Sequence, residues 1–113
     1  MKIIENKITL AELKELAIHQ FGNMVKAVVD IEKGVMAVDA PLHADEEALL
    51  LEQGSRNEDL WGINLYPELT GADWIEYDSM INLRPAQNNL TRGVFDPAIR
   101  ARITVIVDKL VAR

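Results

Sequence analysis

Cysteine is absent from this 113-residue chain, which excludes disulfides, thiolate zinc knuckles and thiol nucleophiles together. No run of about 18 apolar residues occurs, so no transmembrane helix is expected. Met1-Lys2-Ile3-Ile4-Glu5 lacks the long apolar region and small-residue cleavage site of a secretory signal. The expectation is a soluble, cytoplasmic protein, and without a secretory signal the Asn89-Leu90-Thr91 sequon carries no meaning. Basic residues are few, 12 against 18 acids, and the net charge of −6 argues against non-specific nucleic-acid binding. Internal repeats and low-complexity tracts are missing as well.

What is present has the composition of a globular protein, with 49% hydrophobic and 27% charged residues. The length fits one domain, residues 1–113. Charge is divided unevenly: residues 1–83 carry a net −10 and residues 84–113 a net +4. Arg100, Arg102, Lys109 and Arg113 read as a solvated helix face and a helix C-terminus, where cations suit the dipole.

Thr9 as N-cap, Glu12 three residues on and the Ile8/Leu13 staple announce a helix from about Leu10 to Phe21, ended by Gly22. Val25 to Val38 then alternates as a β-hairpin turning at Lys33-Gly34. The stretch 43–53 reads either as a short helix starting at Asp45 or as a strand, and the strand is favoured. Strands are expected at Asp59 to Tyr66 and Trp74 to Arg84, each stopped by proline. Asp96-Pro97 starts a C-terminal helix with the stripe Ile99, Ile103, Ile106, Val107 and Leu110. The fold class is therefore α+β: an N-terminal helix, a small mainly antiparallel sheet of about five strands, and a C-terminal helix.

Strand parity sorts the side chains. Trp61, Ile63, Leu65, Ile75, Tyr77, Ile81 and Leu83 fall on the face the helices cover. Asn64, Tyr66, Asn82 and Arg84 fall opposite, where with Gln87 and Arg92 of the irregular 85–95 loop they form a candidate ligand-binding surface. Gly62, in mid-strand, signals close approach by a ligand, another backbone or a packed aromatic. A second candidate is His43 with Asp45 and Glu52. In a strand His43, Asp45 and Glu47 share a face, as a hard-metal site or a carboxylate-oriented general base would use. No metal is assigned to it. His19, one turn after Glu15, is structural.

Three segments together resemble a known family: His43 to Ser55, Asp59-Leu60-Trp61-Gly62-Ile63-Asn64-Leu65-Tyr66-Pro67, and Ser79-Met80-Ile81-Asn82-Leu83-Arg84-Pro85. The chain is similar to short prokaryotic proteins catalogued only as a domain of unknown function. The resemblance implies a microbial cytosolic origin and brings no activity, cofactor or substrate. Gln87-Asn88-Asn89-Leu90-Thr91-Arg92 departs from the Gln-Gly-Asn-Arg-Ser of that family's loop.

Three functional readings follow. The first is a regulatory or binding module taking an anionic small molecule, with Arg84 and Arg92 as the charges. The second is a small hydrolase or nuclease-like enzyme with His43 as base, Asp45 and Glu52 as orienting or metal-binding carboxylates and Arg84 stabilising an anion. The third is an assembly protein, a homodimer pairing exposed sheet edges.

Overall fold

Helix α1 (Leu10–His19) starts as its sequence foretells, with Glu12 N donating to the Thr9 hydroxyl at 3.1 Å and Thr9 N donating to the Glu12 carboxylate at 3.3 Å. Asp96 caps the C-terminal helix, α3 (Pro97–Leu110), by accepting from Ala98 N at 2.8 Å. The structure, a computed structural model, describes all 113 residues.

Seven strands are present: β1 (Lys2–Ile4), β2 (Ile8–Thr9), β3 (Val25–Asp30), β4 (Val35–Val38), β5 (Leu60–Leu65), β6 (Ile75–Glu76) and β7 (Val111–Ala112). Five form an antiparallel sheet in the order β1-β4-β3-β5-β6, and β2 pairs with β7 in a separate parallel ribbon. Lys7 Nζ reinforces that ribbon by donating to the Lys109 carbonyl at 3.0 Å.

Both sheet faces are covered. On one, Val25, Ala27, Val29, Met36, Val38, Trp61, Ile63 and Leu65 pack with Leu13 and Ala17 of α1 and Ile103, Val107 and Leu110 of α3. On the other, Val28, Ala37 and Leu60 lie under Leu50, with Ile3, Val35, Leu49 and Ile81 beside them. Leu50 belongs to α2 (His43–Glu52), so the segment expected as a strand is a helix. The residues explain it: Ala, Glu and Leu dominate and no β-branched residue occurs between His43 and Glu52. Gly54, at φ +94°, ends it in a Schellman turn, with Ser55 N donating to Leu50 O and Gly54 N to Leu51 O at 3.0 and 3.1 Å. In a helix Asp45 is turned roughly 200° from His43, so the shared face of His43, Asp45 and Glu47 is lost.

The second departure concerns residues 74–84. Only Ile75 and Glu76 pair with β5; the chain then leaves the sheet, and Ser79 begins a 3₁₀ turn over Met80–Asn82. In place of a longer sixth strand, the Asn82 side chain pairs with β5. Its Oδ1 accepts from Gly62 N at 2.8 Å and its Nδ2 donates to Gly62 O at 2.9 Å. Gly62 is where this turn approaches the sheet, as a Cβ there would lie 2.5 Å from that of Ser79. Ile81 consequently joins the cluster under α2 rather than the larger core, and Leu83 is 45% exposed. No helix is long and apolar enough to cross a membrane.

Candidate functional site

Alternation along β3 puts Lys26 on the same face as Val28, under the α2 side of the sheet. Lys26 is in register with Asn64 on β5, and Asn64 with Glu76 on β6. The result is one cross-strand row, cation, amide, carboxylate, at the sheet end that α2 leaves open. Around the row is a cleft of about 400 Å³, walled by Leu42, His43 and Ala44 at the α2 N-terminus and by Asp78 to Ile81 with Arg92 opposite.

Each polar side chain has a definable state. Asn64 Nδ2 donates to Glu76 Oε1 at 2.8 Å and to the Asp78 carbonyl at 3.4 Å. Its Oδ1, in a residue only 6% exposed, is buried and makes no hydrogen bond of ordinary geometry, although the amide is close enough to the His43 ring to favour its protonated form. Tyr66 donates its hydroxyl to the same Glu76 oxygen at 3.0 Å; burial, and next that bond, push the phenol above its ordinary value. Arg92 Nε pairs with Asp78 Oδ1 at 2.8 Å. Lys26 makes no ion pair, and its ammonium rests 5.3 Å from the Phe21 ring centre.

His43 is the first residue of α2, and its Nε2 lies 2.8 Å from the Ile63 carbonyl. A carbonyl only accepts, so Nε2 carries the proton and Nδ1 is the lone-pair nitrogen of the neutral ring. Burial, the largest influence, holds the imidazole below its ordinary value; Lys26 adds to this, while the Ile63 carbonyl, Asn64 and Asp78 oppose it. The ring is therefore neutral at pH 7. The helix above it begins at Leu42, which offers no capping side chain; the Asp45 N–H bonds the Leu42 carbonyl at 3.2 Å, leaving the His43 and Ala44 N–H groups uncapped.

Of the residues singled out in the sequence, His43, Asn64 and Arg92 line this cleft, and Tyr66 supports it through Glu76. Asn82 does not reach it: its amide is committed to Gly62 and, at 2.9 Å, to the Arg92 carbonyl. Arg84 and Gln87 sit at the far end of β5. Arg84 donates to the carbonyls of Leu60 and Glu58 and to Gln87 Oε1, and its guanidinium stacks 4.6 Å from the Trp61 ring. Burial lowers its pKa, and Glu47 and Asp59 counter the shift. Asp45 is exposed on α2, and Glu52, nine residues beyond His43, is roughly 13 Å further along the axis. Arg84→Ala is therefore expected to loosen the start of β5, lowering stability by about 2 kcal/mol in urea unfolding, because the carbonyl of buried Leu60 loses its charged donor and Trp61 its stacking partner. A change under about 0.5 kcal/mol would contradict this clamp.

Lys26, Glu76 and Asp78 were not singled out, since charges in short strands read as solvent-facing. The signal available was parity: Lys26 shares a face with Val28, and the row becomes visible once β3, β5 and β6 are known to be neighbours. No group of three or more His, Asp or Glu side chains is arranged to hold a metal ion. A larger cleft, about 700 Å³, lies between residues 70–77 and α3. Its Tyr77 hydroxyl is bonded to Arg100 O and Thr104, and Arg113 already stacks on its Trp74.

The model of a family described as "Protein of unknown function (DUF5674)" matches residues 2–110. No curated protein and no solved structure matches the chain.

Proposed function

The chain belongs to the DUF5674 family, and from its own geometry we propose that it is a binding module whose small polar ligand occupies the cleft over Lys26, Asn64 and Glu76. The observation that carries this reading is the Lys26 ammonium, which makes no ion pair and lines a cleft of ligand size. Lys26, unpaired, and the uncapped N–H groups of α2 supply the complementary attraction for an anionic group.

The test is a library of polar small molecules screened by amide-resolved NMR. Ligands are expected to perturb Lys26, His43, Asn64 and Glu76 together. Asn64→Leu, which removes the amide at the centre of the row, is expected to abolish those shifts and, by deleting the Nδ2 bonds to Glu76 and the Asp78 carbonyl, to lower stability by about 1–2 kcal/mol while leaving the protein folded. Perturbations confined to other surfaces, or full binding by Asn64→Leu, would refute the reading.

A catalytic use of the same cleft is favoured by one feature, the tautomer of His43, which leaves Nδ1 as a base while Nε2–H is anchored on Ile63. Nitrogen-15 spectra of the ring are expected to show a neutral, Nε2-protonated imidazole at pH 7, titrating below its ordinary 6.5. An Nδ1-protonated ring would remove the base from this scheme.

A further inference from the structure

Helix α2 is held to the sheet by few apolar side chains and two titratable ones. Its buried residues are His43, Glu46 and Leu50, at i, i+3 and i+7, so two of the three side chains along its inner stripe carry an ionisable group. The apolar part of the contact is small: Leu50, with Leu49 beside it, rests on Val28, Ala37 and Leu60, whereas the opposite sheet face belongs to a cluster of 20 buried residues. The polar part is incompletely satisfied. Glu46 Oε2 accepts from Ala40 N at 3.2 Å, and Oε1 is buried without a partner. An acid so placed is tolerated in the interior only while it is neutral.

Both ends of the helix are fixed beside a point of left-handed backbone. Asp39, before α2, has φ +71°, in the region that favours glycine, and its carboxylate is held by the Met1 ammonium and the Gln20 amide at 3.3 and 3.4 Å. Gly54, after α2, has φ +94°, and the next residue, Ser55, is anchored in the interior by donating to Asp30 at 2.6 Å. The chain can therefore swing between two anchors. Off the sheet, a helix of 10 residues has little stability of its own in water.

We propose that α2 is a lid that detaches as a unit between Asp39 and Gly54 while the sheet and its larger core stay folded, with Glu46 as its latch. Detachment uncovers Val28, Ala37 and Leu60 and withdraws Leu42, His43 and Ala44 from the wall of the cleft over Lys26. Burial pushes the Glu46 carboxyl from 4.5 up to about 9; Asp39 before the helix and Asp45 on it act in the same direction, and the Ala40 N–H and Lys26 of β3 against it. A detached Glu46 ionises at its ordinary value, so the latch is whole below pH 4.5, weakens about tenfold per pH unit above that, and is gone above about 9. His43 works in the other sense. Burial and Lys26 hold its ring below 6.5, against the Ile63 carbonyl, Asn64 and Asp78, so it loosens the lid as pH falls through that range.

A chain without cysteine allows the lid to be read with a single introduced thiol. Ala37 and Ala27 are both fully buried, Ala37 under α2 and Ala27 on the opposite face. The Ala37→Cys thiol is uncovered when α2 detaches, the Ala27→Cys thiol only when the larger core opens. With dithiodipyridine at pH 7, Ala37→Cys is expected to react at least about a hundredfold faster than Ala27→Cys; thermal melts establish that both variants fold, and amide exchange of the unsubstituted chain gives the same comparison between α2 and β3. Adding Glu46→Gln to Ala37→Cys is expected to slow its reaction about a hundredfold at pH 7 and less than about fivefold at pH 5. Equal rates at the two thiols, or equal protection of α2 and β3, show that the helix leaves only with the whole domain and overturn the lid. A fast Ala37→Cys reaction that Glu46→Gln leaves unchanged at pH 7 overturns the latch.

Discussion

Replacing Gly62 with alanine is expected to lower the unfolding midpoint by about 10 °C, corresponding to a loss of about 3 kcal/mol for a domain of this size. The added Cβ would stand 2.5 Å from Ser79 Cβ, 2.6 Å from its Oγ and 3.1 Å from Ile81 Cγ1, all less than ordinary contact. The 79–82 segment must then withdraw, and with it the Asn82 amide that satisfies both Gly62 N–H and Gly62 C=O in the interior. Asn82→Ala reaches the same damage from the other side by leaving those two groups and the Arg92 carbonyl without their donor or acceptor. Because both substitutions break one contact, the double variant is expected to be much less destabilised than the sum of the two. Strict additivity in urea unfolding, or a single-site effect below about 1 kcal/mol, would show that the amide is not acting as a surrogate strand.

Glu46→Gln is expected to stabilise the protein at neutral pH by about 3 kcal/mol, with a melting difference of about 10 °C. Glu46 is fully buried on the inner side of α2, where burial pushes its carboxyl from 4.5 up to about 9. Asp39 and Asp45 push the same way, while the Ala40 N–H, 3.2 Å from Oε2, and Lys26 favour the ion. The folded state therefore holds a proton that the unfolded chain releases above pH 4.5. The associated stability is complete below 4.5, declines as pH rises from there, and is fully lost above about 9. Glutamine does not titrate, so the difference between variant and wild type should grow from near zero at pH 4.5 across the neutral range. His43, whose pKa is depressed, acts in the opposite sense by withdrawing stability as pH falls below 6.5, but it is common to both proteins and cancels. A melting difference that stays constant from pH 5 to pH 8 would disprove the buried neutral acid.

Where local chemistry is self-sufficient, the fold was legible. The Thr9/Glu12 box, Asp96-Pro97 and the alternation through Val25 to Asp30 each name their element, since the stabilising partner lies within a few residues. The leucines at 49–51 serve a strand or a helix equally well; Gly54 and the absence of β-branched residues tip the balance, and Leu50 packing on Val28 and Ala37 completes it. For residues 77–84 no local sign was available, because the amide that replaces the strand bonds a residue twenty positions away. The candidate site divides in the same way. Asn64 was visible through strand parity, His43 through its neighbouring carboxylates and Arg92 through its place in a long irregular loop, whereas Lys26 and Glu76 acquire meaning only through strand order. Asn82 and Arg84 were noticed as polar groups on the sheet face opposite the helices and read as ligand-binding; in the structure their hydrogen bonds hold backbone together.

The parallel ribbon of β2 and β7 bears on how the chain reaches this state. Ile8 pairs with Val111, and the Lys7 to Lys109 bond joins residues 102 positions apart. Closing a loop of that length is entropically slow relative to forming α1 or the β3–β4 hairpin, whose partners are near neighbours. The ribbon is thus expected to contribute little to the folding transition state and mainly to retard unfolding. On the ribosome, residues 8 and 9 must wait until residues 111 and 112 have emerged before their partners exist, so this ribbon closes after the strands of the main sheet have been made.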